Sequence, residues 1–261
     1  MNGQAPPRVA IVSGAAQAVG KAAAHRLGRE GAALVLSDAD AAGLEAAAGQ
    51  LRAAGCRVLA APAEALPEAA ARRAVEAALG FGRIEALVNA ATPVATPPWV
   101  DAASRDLDRQ IARGLSWYLA FCSAMTPHMA GAGGGRIVNV VSSAGRYRSA
   151  YFRYQRCDES FAAGASVEGA VLALTRELAF ELAPSRIRVN AVSIGWIRTD
   201  LGEQAWRKLT ERERGFVLEE ISLRRLGEPD EAAAVIQFLA SEASSYVTGA
   251  AIDVNGGWWM S

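Results

Sequence analysis

An apolar run, GRIVNVV, ends in Ser142, and a helix-forming run, GAVLALTRELAFELAP, begins at Gly169. In a strand-then-helix order the strand's carboxyl end faces the ligand crevice, so Ser142 is a hydroxyl standing where chemistry is done. Between the two runs lie Arg146, Tyr147, Arg148, Tyr151, Phe152, Arg153, Tyr154 and Arg156. Arginines interleaved with aromatic rings can bind phosphate, carboxylate or a stacked base. The same residue types anchor protein partners, and a solvated loop is the plain alternative.

A second chemistry-bearing pattern stands near the amino end. Arg8 to Ser13, RVAIVS, reads as a buried parallel strand, followed by SGAAQAVG and a helix from Val19 to Glu30. A glycine turn between strand and helix lets main chain approach a pyrophosphate, and the helix amino end supplies N–H groups and positive partial charge. The next strand, AALVLS, ends at Asp38. An acid about 20 positions after such a turn accepts hydrogen bonds from a ribose 2′-hydroxyl and repels a 2′-phosphate. The competing reading is that Asp38 caps the following helix.

These elements must be carried by a fold of suitable size, and 261 residues fit one large α/β domain. Lys and Arg number 27, as do Asp and Glu, which gives no global charge to attract nucleic acid or a membrane surface. No apolar run reaches the ~18–20 residues of a membrane span, and the polar MNGQAPPR start is no signal peptide. Cys56, Cys122 and Cys157 are scattered and odd in number, which points to reduced thiols and a cytoplasmic setting. His25 and His128 stand alone, so no metal site is expected.

From Arg8 to Gly257 the chain resembles the short-chain dehydrogenase/reductase (SDR) family. The resemblance rests on SGAAQAVG, Asn89-Ala90-Ala91-Thr92, IRVNAVSIGWIRTD and RRLGEPDEAAAVIQFLASEASSYVTGAAIDVNGG. It implies a single doubly wound Rossmann-type α/β domain over 1–261, with a seven-stranded parallel sheet of order 3-2-1-4-5-6-7 and helices on both faces. It also implies an insertion at 146–160 and a substrate-crevice lid at 196–223. The cofactor it implies is NAD, with NADP disfavoured by Asp38 and by Gln17, where NADP-preferring relatives carry arginine. The cofactor-binding positions are then Gly14, Gln17, Val19, Gly20, Asp38, Glu64, Asn89, Ala91, Gly195, Ile197 and Thr199. Ser13 replaces the family's threonine, Ala18 its middle glycine, Glu64-Ala65 its Asp-Val, and Thr92 a glycine.

The family's catalytic set is Asn, Ser, Tyr and Lys, and here only the serine, Ser142, is kept. Counting back from Leu174-Thr175-Arg176 puts the tyrosine place at Gly164 and the lysine place at Glu168; the asparagine place is Gly114. In such enzymes the tyrosine moves the proton, the lysine lowers its pKa and holds the ribose, and the serine binds the oxyanion. Loss of the proton-transfer group removes about 10²–10⁴ in rate. Tyr154 lies 12 residues after Ser142 and is the candidate to replace it.

The helices at 104–129 and 164–183 pair subunits in the family. The stripe Trp117, Phe121 and Met125 serves either the core or such a contact, and the terminal Trp258-Trp259-Met260 favours a subunit interface. Three functions follow. The first is a non-catalytic subunit of a heteromeric NAD-linked SDR dehydrogenase, paired with an active SDR chain. The second is an enzyme with a rebuilt site, Ser142 with Tyr154 or Tyr151, doing ketone/alcohol redox, elimination or cyclisation on a small molecule. The third is a ligand- or RNA-binding module using the arginine-tyrosine loop.

Overall fold

The computed structural model describes residues 6–63, 66–90, 108, 114–143, 146 and 162–260. Seven strands form one sheet: β1 (Arg8–Ser13), β2 (Ala33–Ser37), β3 (Val58–Ala60), β4 (Arg83–Asn89), β5 (Gly135–Ser142), β6 (Ile187–Ile194) and β7 (Ala251–Val254). Their order is β3-β2-β1-β4-β5-β6-β7, and every neighbouring pair is parallel. The central strands are apolar on both faces, as a sheet covered on both sides requires.

Helices α1 (Ala18–Arg29), α2 (Ala41–Ala53), α3 (Pro67–Leu79), α4 (Leu115–Gly131), α5 (Ala162–Leu182), α6 (Asp200–Lys208), α7 (Glu211–Glu220) and α8 (Pro229–Leu239) complete the described elements. Two apolar clusters sandwich the sheet. One joins Val19, Ala23 and Leu27 of α1, Leu44 and Leu51 of α2, and Ile236 and Leu239 of α8 to the sheet. The other joins Ala70 and Ala74 of α3, Phe121 and Met125 of α4, and Ala179 of α5 to the opposite face. Among the described residues no helix is long and apolar enough to cross a membrane.

The stripe on α4 belongs to the core. Trp117, Phe121 and Met125 are all buried against the sheet, and Trp117 stacks on Phe121 at 5.4 Å between ring centroids. The outward faces of α4 and α5 instead carry Leu119, 44% exposed, and Phe180, 83% exposed. Gly114 is the N-cap of α4 and not an interior residue, so the helix does not bear the cost of a central glycine.

The apolar terminus also departs from expectation. Positive-φ Gly256 and Gly257 reverse the chain. Trp258 is thereby folded back against Trp196, Leu209, Val217 and Ile221 beneath α6 and α7. Trp258 therefore fills the lid's own core, while Trp259 and Met260 stay exposed. Asp40, not Asp38, caps α2, accepting from Gly43 N at 3.0 Å.

At the amino ends of the strands, Arg136 on β5 forms a largely buried ion pair with Glu85 that ties β5 to β4, and also bonds the exposed Glu242. Phe121→Ala is expected to cost about 3–5 kcal/mol in urea unfolding, whereas exposed Leu119→Ser stays within about 0.5 kcal/mol.

Candidate functional site at the carboxyl ends of the strands

The amino half of the site is built by the turn between β1 and α1. Gly14 has φ +78, a region that glycine enters without strain. Its N–H and that of Ala15 donate to Ser37 O, which fixes the turn to the end of β2. A Cβ on Gly20 would lie 2.2 Å from Gly14 O, so only glycine allows α1 to start this close to the turn. Gln17 is the N-cap of α1 but makes no side-chain cap, so the first-turn N–H groups at Val19 and Gly20 have no side-chain cap within the helix start.

Asp38 closes this half. It is buried, with Oδ2 accepting from Ala16 N at 2.9 Å and Oδ1 from Asp40 N at 3.0 Å. An ionised carboxylate has about four acceptor sites, so two such bonds leave each oxygen able to accept from a ligand hydroxyl.

The centre of the site is set by a difference in strand length. The ladder from β4 to β5 ends at Asn89–Asn139, while that from β5 to β6 continues to Ser142–Ile194. Among the described residues, the end of β5 therefore pairs with a strand on one edge only, and buried main-chain groups need partners. Two side chains supply them. The Tyr118 hydroxyl, from α4, donates to Val140 O. The Glu168 carboxyl, from α5, accepts from Ser142 N at 2.9 Å. Both side chains are buried.

Glu168 thus stands where the family resemblance puts lysine, but it turns inward to the main chain of the serine it neighbours. Burial pushes its carboxyl up to about 8, partly opposed by the Ser142 N–H. Burial, reinforced by Glu168 and Cys122, pushes the Tyr118 phenol well above its ordinary value. Burial likewise pushes the Cys122 thiol up to about 12. Burial thus favours the neutral forms of Glu168, Tyr118 and Cys122. At the place where the family resemblance puts the lysine there is no ammonium to lower a phenol's pKa, and Gly164, buried on α5, has no side chain to transfer a proton.

Behind the open edge runs a chain of buried amides and hydroxyls. Asn89 Nδ2 donates to Asn139 Oδ1 at 3.0 Å, Asn139 Nδ2 to Thr175 Oγ1 at 2.9 Å, and Thr175 Oγ1 to Val171 O at 2.8 Å. Asn89 also lies 3.5 Å from Cys122 Sγ. The Asn89 side chain therefore points among β5, α4 and α5, where it stitches the sheet to its helices. Ser13 Oγ accepts from the Trp117 indole.

On the far side, Gly195 abuts Asn255, whose Cβ would lie 2.7 Å from a Cβ at 195. Ile197 is buried and bridges to Gly227, and Thr199 caps α6 through Gly202 N at 3.0 Å. Arg146, the first arginine of the insertion, is held by Asp253 Oδ2 at 2.9 Å and Ala251 O at 3.1 Å. Glu64, Ala91 and Tyr154 lie outside the described residues, as does nearly all of the 146–160 insertion.

Sequence reasoning missed Tyr118, which sits beside the apolar stripe. Its only signal was the four-residue spacing to Cys122, which puts both on one helix face. Among the described residues no cluster of three or more His, Cys, Asp or Glu could hold a metal ion.

Because Glu168 has a pKa near 8 in the fold against 4.5 as its ordinary value, the folded protein holds the proton more tightly. Its contribution to stability is full below pH 4.5 and is lost as pH rises to about 8. Relative to Glu168→Gln, the unfolding free energy should fall between pH 5 and 8 by up to about 1.4 kcal/mol per pH unit. A pH-independent difference between the two proteins would contradict this.

A family model described as enoyl-(acyl carrier protein) reductase matches residues 14–259. The subunit BbsD of (2S)-[(R)-hydroxy(phenyl)methyl]succinyl-CoA dehydrogenase from Thauera aromatica is 34% identical over 251 residues, covering 96% of each chain. D-threitol dehydrogenase from Mycolicibacterium smegmatis is 36% identical over 259 residues, covering 96% of this chain and 92% of the relative. The crystal structure of a glucose/ribitol-type short-chain dehydrogenase/reductase from Brucella melitensis superposes with TM-score 0.83 at 32% identity, covering 98% and 97% of the two chains. With its sheet order, its turn after β1 and these full-length matches agreeing, the chain belongs to the short-chain dehydrogenase/reductase family.

Proposed function

We propose that this chain is the non-catalytic member of a hetero-oligomeric, NAD-linked short-chain dehydrogenase, working in the cytoplasm beside an active chain of the same family. The observation that carries the reading is Glu168. Its buried carboxyl is committed to Ser142 N in the place of the family's lysine. Gly164 in the tyrosine's place and Gly114 in the asparagine's place complete the loss of the proton path. Three of the four groups that perform the family's reaction are thus replaced by groups that cannot perform it.

The scaffold around them is intact, which suits a chain kept for assembly. Leu119 on α4 and Phe180 on α5 present apolar surface on the two helices through which the family resemblance pairs subunits. The Thauera aromatica relative is itself named as a dehydrogenase subunit. Asp38 supports NAD over NADP, since a buried carboxylate at the ribose repels a 2′-phosphate. The chain is read as one domain over 1–261.

A rebuilt enzyme is the second reading, favoured by relatives that are named as dehydrogenases and reductases. It would use Ser142 with Tyr154 or Tyr151 on a small alcohol or ketone, or carry out elimination or cyclisation with Glu168 as base. Ligand or RNA binding by the arginine-tyrosine loop is the third, weakened because Arg146 is tied to Asp253.

Co-expression with a short-chain dehydrogenase encoded beside it in the native genome should give a stable complex by native mass spectrometry. Phe180→Asp should disrupt that complex. The chain alone should show no NAD-linked alcohol oxidation, with a rate at least about 10²-fold below the active partner's. Turnover by the isolated chain, abolished by Tyr154→Phe, would establish the second reading instead.

A further inference from the structure

The segment between β6 and α8 has an apolar core of its own, separate from the two clusters that clamp the sheet. Trp196, Leu209, Val217, Ile221 and Leu226 are buried in it, and among the described residues its one member from outside 196–226 is Trp258. Trp196 stands 6.0 Å from Trp206 and 6.3 Å from Trp258 between ring centroids. The ends of this segment leave the body together as a neck. Gly227 N donates to Trp196 O and Arg198 N to Gly227 O, both at 2.8 Å. Arg198 with Glu228 at 3.1 Å and Arg225 with Glu231 at 2.6 Å brace the neck through exposed ion pairs, which are individually weak.

A second fastening is the carboxyl-terminal hook that follows β7. Leu223 N donates to Gly256 O at 3.0 Å, and Ser222 Oγ to Gly257 O at 2.9 Å. Asn255 staples the hook, accepting from Gly257 N and donating to Trp259 O, both at 2.9 Å. A Cβ on Gly256 would lie 2.9 Å from Ile221 Cγ2, and one on Gly257 would lie 2.9 Å from Ser222 Cβ. The hook's main chain therefore lies flush against the residues that follow α7. Neck and hook leave neighbouring strand ends, since β6 pairs with β7 up to Ile194–Val254. Ligands of open α/β sheets bind beyond such ends.

We propose that Trp258 is a latch: residues 199–225 swing away from the carboxyl ends of the strands as one unit about the neck, and the hook holds that unit closed. A segment with its own core and few ties to the main one opens at lower cost than the whole fold. Trp258 is the one apolar side chain that the hook buries, among the described residues, while Trp259 and Met260 beside it stay exposed. Withdrawing Trp258 leaves a void among Trp196, Val217 and Ile221 but removes nothing from the clusters on either face of the sheet. Such a latch serves a catalytic and a non-catalytic chain alike, so it stands apart from the subunit reading.

Hydrogen–deuterium exchange of the full chain, read by mass spectrometry, tests the latch. In the unmodified chain in mild urea, peptides from α6, α7 and the hook should exchange through one shared opening, while β1, β5 and β6 stay protected until global unfolding. Trp258→Ala should speed exchange in α6 and α7 by at least about tenfold and leave β1, β5 and β6 within about twofold. Trp258→Phe, which keeps a ring in the small core, should restore most of the protection. Trp259→Ala, at the exposed neighbour, should change exchange in α6 and α7 by less than about twofold. Unchanged exchange in α6 and α7 of Trp258→Ala would overturn the latch. So would equal acceleration in the sheet, a Trp258→Ala chain that fails to fold, or an unmodified chain whose lid and sheet exchange together. Each of those three outcomes would make Trp258 part of the global core.

Discussion

The structure turns on an unpaired strand edge. Among the described residues the β4–β5 ladder ends at Asn89–Asn139, and Val140 O and Ser142 N beyond it are met by side chains and not by a strand. Leaving a buried donor or acceptor without a partner costs about 1–3 kcal/mol each. Tyr118 and Glu168 remove that cost from opposite sides, one from α4 and one from α5. The two side chains occupy the space beside the end of β5, each hydrogen-bonded to its main chain.

Glu168 differs in more than sign from the lysine that the family resemblance puts at its place. A lysine there would carry a charge, whereas the glutamate turns into the fold to Ser142 N, where burial favours its neutral form. The burial that raises its pKa also isolates Tyr118, whose phenol is held far from ionisation and bonded to a carbonyl. Tyr118 therefore offers no substitute for the tyrosine missing at Gly164. The polar chain from Asn89 Nδ2 through Asn139 to Thr175 extends the pattern, while Asn89 Oδ1 is buried with no hydrogen-bond partner.

The rest of the fold isolates this centre. The two apolar clusters clamp the sheet from both faces, and the lid makes its own small aromatic core from Trp196, Trp206 and Trp258. Once Gly256 and Gly257 turn the chain, Trp258 is more stably placed in that core than in water or against a partner. Among the described residues, the large apolar side chains left exposed include Leu66, Leu119, Phe180, Leu223, Trp259 and Met260.

Periodicity and turn chemistry by themselves determined the strands, the helices and their alternation. Patterns such as RVAIVS and GRIVNVV permit little else, and a parallel sheet follows once each strand is succeeded by a helix. That Gly114, Gly164 and Glu168 fall at the family's catalytic places is likewise a reading of the letters, carried by the family resemblance. Tertiary structure alone decided where those letters point. That Glu168 bonds Ser142 N, that Tyr118 shares its pocket, that Asp40 caps the helix Asp38 was a candidate for, and that Trp117, Phe121, Met125 and Trp258 lie inside all depend on distant segments meeting. Such encounters fix burial and hydrogen-bond partners, which set a side chain's charge and direction, and no local pattern in the sequence encodes them.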